Sequence, residues 1–238
     1  MLRTLFSVAA AAALALQSPA PDPGVGSPLP LIPVPVHSRG ELLVVMITGD
    51  GGWAPADRAL TRELAARGVP VVGLDAPAYL SHMRRPDELA HDVSRVIRYY
   101  LRAWERERVV VVGYSRGADL APFAVARLPE DVRARVALVA LLGPGQWAGF
   151  EFHLSDLLRD IHRDIDLPVA PEVVALRGTP PVLCISGRKD LGSICPALGA
   201  AGVARVVIRD GGHGVAAREG RALADTILAA VGTSRLEH

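Results

Sequence analysis

A serine between two glycines, in Gly113-Tyr114-Ser115-Arg116-Gly117, follows directly on the apolar run Val109-Val110-Val111-Val112. The glycines permit a turn too tight for side chains, which lifts the hydroxyl to the head of a sheet. Serine at its ordinary pKa is a weak nucleophile and needs an adjacent base, itself held by an acid. Both are found downstream, each just after an apolar run. Val182 to Ser186 leads into Gly187-Arg188-Lys189-Asp190, and Arg205 to Ile208 leads into Asp210-Gly211-Gly212-His213-Gly214. Ser115, Asp190 and His213 are therefore the expected nucleophile, acid and base, in that chain order. Asp210 competes for the acid's place but lies so close to His213 in sequence that a turn-forming role suits it better.

Acyl transfer through such a serine also needs N–H donors for the oxyanion of the tetrahedral intermediate. The N–H of Arg116, next to the nucleophile, is one candidate, and the glycine-rich loop Gly49-Asp50-Gly51-Gly52-Trp53 supplies Asp50 and Gly51 as others. The phosphate-cradling pattern G-x-x-x-x-G-K-[ST] does not occur, and no spacing of Cys, His and carboxylates suggests a metal. Neither cofactor nor metal is expected.

Elements that place these residues are legible around them. Leu42 to Thr48, Val69 to Leu74, Val109 to Gly113, Val136 to Leu142, Val182 to Ser186 and Arg205 to Ile208 are apolar without alternation, as strands covered on both faces are. Between them, Asp57 to Arg67, Asp87 to Trp104, Ala118 to Arg127 and Ala216 to Val231 carry helical spacing. Strand and helix in alternation give an α/β class with a mainly parallel sheet, and a serine elbow at a strand's carboxyl end makes the α/β-hydrolase fold the expectation. Residues 145–174 interrupt the alternation with Trp147, Phe150, Phe152 and Leu154, and read either as a small lid or as an ordinary connection.

The chain has 238 residues, half of them apolar, which suits one domain, expected over residues 39–234. Its 26 basic and 25 acidic side chains nearly cancel, and aromatics are 5%. No charge surplus or stacking surface points to nucleic acid. Residues 1–15, with Arg3 before the apolar run Leu5 to Leu16 and Ala13-Leu14-Ala15 as a cleavage site, read as an export signal. A proline-rich linker follows over 16–38, and residues 236–238 read as a tag remnant. Cys184 and Cys195 would meet an oxidising compartment on export, where they either pair or remain one buried and one loop thiol.

Thr48 to Trp53 (T-G-D-G-G-W), Leu74 to Tyr79 (L-D-A-P-A-Y), Arg85-Pro86, Gly113 to Asp119 (G-Y-S-R-G-A-D) and the loop of Asp190 and Cys195-Pro196 together resemble the VirJ/AcvB family of bacterial periplasmic virulence-associated proteins. The resemblance covers Leu42 to Val231. It implies an α/β-hydrolase in the periplasm that removes lysine or alanine from aminoacyl-phosphatidylglycerol, with transient contact to a membrane surface and a link to type IV secretion components. It also carries the nucleophile, acid and base over to Ser115, Asp190 and His213. The ammonium of such a substrate would need a carboxylate, for which Asp50 comes first and Asp119 second, with Trp53 as a wall for the headgroup. A general carboxylesterase acting on a soluble substrate and a noncatalytic periplasmic adaptor are the competing readings.

Overall fold

The computed structural model describes residues 28–157, 162–176, 179–214 and 219–233. The export signal at 1–15, the first part of the expected linker and the tag remnant at 236–238 lie outside the described residues. All six apolar runs form strands. In chain order they follow β1 (Leu31–Val34): β2 (Leu42–Ile47), β3 (Val71–Leu74), β4 (Arg108–Tyr114) and β5 (Val136–Leu142) come first. A small pair, β6 (Trp147–Ala148) and β7 (Leu167–Pro168), precedes β8 (Val182–Gly187) and β9 (Arg205–Arg209). The main sheet has the order β1-β3-β2-β4-β5-β8-β9. Only β1 is antiparallel to its neighbour.

Strand β1 corrects the expectation of a linker over 16–38. Leu31 to Val34 pair with Leu74 to Val71 along the sheet edge. An edge strand tolerates Pro33, because a residue there needs no second ladder and can turn its missing N–H outward. Proline content thus marks an edge here and not an unpaired spacer.

The strands lack alternation because helices cover both sheet faces. Leu43, Val45, Ile47, Val109 and Val111 point to one side, where the short α2 (Ala76–Tyr79) buries Tyr79, and α3 (Pro86–Ala103) and α4 (Arg116–Ala126) bury Leu89, Val93, Ile97 and Phe123. Val44, Met46, Val110 and Val112 point to the other, against Leu60 and Leu64 of α1 (Pro55–Ala66) and Leu223 and Ile227 of a C-terminal helix, Gly220–Thr233. At ~1.5–3 kcal/mol for each large apolar side chain fully buried, these two layers supply the main drive to fold. No helix among the described residues is long and apolar enough to cross a membrane.

Residues 145–174 resolve into two parts. Strands β6 and β7 pair at their base, and the short helix Val169–Ala175 buries Val169 and Val173 in the core. Phe150 is buried too, edge-on to Phe123 at 5.3 Å. Of the part between, residues 149–157, with a 3-10 turn at Leu154–Leu157, and residues 162–166 border the cavity beside Ser115 at the carboxyl end of the sheet and form a cap.

Cys184 in β8 and Cys195, which opens the short helix Cys195–Ala200, are joined by a disulfide. Both are fully buried, and the bond spans the loop that carries Asp190. A loop of this length contributes about 3 kcal/mol through the unfolded chain.

Candidate active site

Ser115 sits between β4 and α4 with φ 52° and ψ −122°, a left-handed backbone rare for a residue with a side chain. Its two glycines are required by contact. A Cβ at Gly113 would lie 2.2 Å from the Gly117 carbonyl oxygen, and one at Gly117 would lie 2.0 Å from that of Ile47. The strained turn is therefore held by close packing of α4 onto β2 and β4.

The three side chains expected to act together meet in series. Ser115 Oγ is 2.7 Å from His213 Nε2, and His213 Nδ1 is 3.0 Å from Asp190 Oδ2. A carboxylate only accepts, so Nδ1 carries the proton and Nε2 is left to accept from the serine hydroxyl. The Asp190 side chain is 10% exposed while Asp210 is 93% exposed and pairs with Arg188, which leaves Asp190 alone in contact with the imidazole. Below the imidazole, the Tyr114 ring stacks at 6.2 Å. Burial, followed by the charges of Asp57 and Asp190, pushes the Tyr114 phenol up and keeps it neutral.

Gly143, at the end of β5, was not singled out from the sequence. Its φ is +64°, and a Cβ there would press on the His213 ring at 3.2 Å and on Asp190 at 3.5 Å. The imidazole and its acid occupy the space that this missing side chain leaves.

The loop proposed to help hold an oxyanion touches the nucleophile: a Cβ at Gly49 would stand 3.1 Å from the Ser115 Cβ. A bond from Gly52 N–H to Gly49 O closes the loop, so Asp50 and Gly51 form its tip. Arg116 N–H opens α4 and has no carbonyl one turn back. The Arg116 side chain, which the sequence did not single out, straps the site together. It pairs with Asp50, donates to the Gly149 carbonyl at 3.1 Å and reaches Asp156 at 2.9 Å. Arg163 also binds Asp156. Burial opposes ionisation of Asp156, but the Arg163 bond, the His153 N–H and the Arg116 charge outweigh it and hold the carboxyl below its ordinary range.

These contacts bear on two expectations. Asp50, the first choice for a substrate ammonium, is paired with Arg116, and both it and Asp119, whose carboxylate accepts from Gly145 N–H at 2.6 Å, line the cavity. Trp53 is no wall of the site. Its indole packs on Gly73 of β3, where a Cβ would approach to 2.5 Å, and joins the apolar layer under α1. The aromatic wall is instead Trp147 of the cap, stacked on His162 at 4.1 Å.

Ser115 lines two cavities. Among the described residues, the larger, about 430 Å³, is bounded by Trp147, His162, the five carboxylates of Asp50, Asp119, Asp156, Asp166 and Asp190, and the guanidinium of Arg116. Asp166 is held in place by Arg163 N–H at 2.7 Å. The smaller, about 370 Å³, runs from Gly49 to Gly52 and along Ala54, Pro55 and Ala56 to Tyr114.

Asp57 closes the smaller cavity from inside α1, fully buried. Burial is the main cause that pushes its carboxyl up to about 6, against a hydrogen bond from Ala54 N–H at 3.1 Å. A folded pKa above the unfolded one means that the native state disfavours the ionised form. The cost is full above about pH 6 and is relieved as pH falls toward 4. Asp57→Asn should accordingly be more stable than the parent near pH 8, by on the order of 2–3 kcal/mol, with the difference shrinking toward pH 4. Urea denaturation of both proteins at the two pH values checks this, and an equal difference at both would remove the charge from the explanation.

A family model described as "Bacterial virulence protein (VirJ)" matches residues 41–235. None of the curated protein sequences matches the chain. Among solved structures, a putative dienelactone hydrolase from Klebsiella pneumoniae is similar at 17% identity and TM-score 0.64, covering 88% of this chain and 95% of that one. MenH from S. aureus is similar at 10% identity and TM-score 0.62, over 86% and 98% of the two chains. Est1E from Butyrivibrio proteoclasticus, with ferulic acid bound, is similar at 14% and TM-score 0.59, over 86% and 96%. At these identities the likeness establishes the α/β-hydrolase fold.

Proposed function

The chain belongs to the VirJ family of bacterial virulence proteins, and from that premise and its site we propose that it is a periplasmic serine esterase that removes the aminoacyl group from aminoacyl-phosphatidylglycerol. The observation that carries the reading is the acidic cavity beside Ser115. An aminoacyl ester brings one ammonium, or two for lysine, and a cavity whose described lining holds five carboxylates and one guanidinium favours that charge. Asp119 and Asp166, each oriented by a backbone N–H, are the carboxylates to receive it.

In this scheme Ser115 Oγ attacks the aminoacyl carbonyl and His213 Nε2 takes its proton, while Asp190 holds the imidazole and stabilises its positive charge. Arg116 N–H and the loop of Asp50 and Gly51 receive the oxyanion. The C–O bond to glycerol breaks, His213 returns the proton to the leaving oxygen, and the phosphatidylglycerol departs along the smaller cavity. Water, deprotonated by His213, then attacks the acyl-serine and frees the amino acid and Ser115.

The test offers lysyl- and alanyl-phosphatidylglycerol in detergent micelles and measures released amino acid. Release is expected from both, and Asp119→Asn should raise KM for the aminoacyl lipid by about tenfold while an ester of the same alcohol with an uncharged acyl group changes less than about twofold. Cleavage of the uncharged ester alone would favour a general carboxylesterase. Cleavage of neither by folded protein would favour an adaptor, including one serving type IV secretion components.

A further inference from the structure

Seven large apolar side chains are exposed among the described residues, and five of them belong to segments that line the acidic cavity or are hydrogen-bonded to its wall. Leu191, 94% exposed, stands between Asp190 and Gly192, which both line the acidic cavity. Ile165 (58%) precedes the lining residue Asp166, and Leu154 (78%) starts the 3-10 turn that presents Asp156. Trp147 lines the cavity itself with its ring 41% exposed. Met83 (55%) lies next to Arg84, whose N–H binds the Phe150 carbonyl beside Gly149 at the cavity wall. Leaving such groups in water costs free energy that burial would recover.

We propose that these five side chains form a docking face for an anionic lipid layer, with Leu154, Ile165 and Leu191 entering the headgroup boundary and the cavity mouth turned toward the bilayer. The inference rests on the lipid-ester reading above. The apolar tips come from separate chain segments that border the same cavity, so a folded partner seated on them would stopper the site, whereas a lipid layer delivers its headgroups into it. Cations accompany two of the tips, exposed Arg85 beside Met83 and exposed Arg188 and Lys189 before Leu191, while Arg163 near Ile165 is taken up by Asp156 and Arg84 by the Tyr79 carbonyl and ring. Arg85 and Arg188 have the exposed partners Asp87 and Asp210, pairs weak enough to be exchanged for phosphate. Apolar tips with exposed cations at Arg85, Arg188 and Lys189, beside an acidic cavity, match the order of charges in the substrate, with the phosphodiester at the bilayer and the ammonium beyond it. Phe150, which the sequence placed among the apolar groups of this segment, is buried against Phe123 and takes no part.

Flotation with phosphatidylcholine vesicles containing phosphatidylglycerol tests the docking face apart from turnover, using protein with Ser115→Ala. That protein should float with the vesicles, and the added replacements Leu154→Ser, Ile165→Ser and Leu191→Ser should weaken binding by about tenfold or more. The same three replacements with Ser115 intact should leave hydrolysis of a soluble aminoacyl ester unchanged, which verifies fold and site. Equal flotation of both proteins, no flotation of either, or a dimer that the three replacements dissolve would each overturn the docking face. Release of amino acid from micellar lipid in those cases would leave the lipid-ester reading standing. Tip-dependent flotation without any release would sink that reading and keep the docking face.

Discussion

Ser115→Ala should remove aminoacyl ester hydrolysis by about four orders of magnitude or more, leaving only what oxyanion donors and binding achieve without a nucleophile. The Oγ is the atom in hydrogen-bond contact with His213 Nε2 that could form an acyl-enzyme, and among the described residues no second aliphatic hydroxyl and no thiol lines either cavity. Cys184 and Cys195 are bonded to one another and fully buried, so they offer no substitute. Stability should hardly change, because alanine occupies the same left-handed backbone at a similar cost. Release of amino acid under single-turnover conditions, with a thermal melt as control, decides the matter. Residual release within about tenfold of the parent would mean that the acyl-serine path is wrong.

Asp190→Asn should lower kcat by about 10²- to 10⁴-fold, while Asp210→Asn should stay within about twofold. Asparagine preserves the shape but presents an amide in place of a carboxylate. It removes the charge that steadies the imidazolium and can donate to Nδ1, which turns the tautomer and leaves Nε2 carrying a proton when it should accept one. Asp210 is expected to be indifferent because it meets solvent and Arg188 rather than His213. Turnover of a soluble aminoacyl ester by the two variants separates the candidates, and a large loss at position 210 with none at 190 would reverse the assignment.

The sheet and its elbow could be read before any coordinates because their signals are local. A strand covered on both faces announces itself as a valine-rich run such as Val109 to Val112, and the turn after it needs Gly113 and Gly117 for reasons of contact within a few residues and one neighbouring strand. Asp190 and His213 were found because chemistry is gathered at the carboxyl ends of strands, and those ends are visible in the chain. Edge strand β1 escapes that reading, since Leu31 to Val34 is short, contains Pro33 and becomes a strand only by pairing with β3, whose partners Leu74 to Val71 lie 43 to 37 positions further along the chain.

What the residue order by itself determined, then, was the fold class, the strand sequence and the positions of nucleophile, acid and base. The tertiary structure alone decided how the acidic and aromatic groups near Ser115 are held. Asp50 and Asp119 look alike in sequence, but Arg116 reaches across 66 positions to bind the first, while Gly145 turns the second toward the cavity. Trp53 and Trp147 likewise exchange roles because Gly73 opens a berth for one indole and the cap carries the other. Backbone form follows from short-range sterics and two-faced burial, whereas the partner of a charged or aromatic side chain depends on distant segments that only the packed fold brings within a few ångströms.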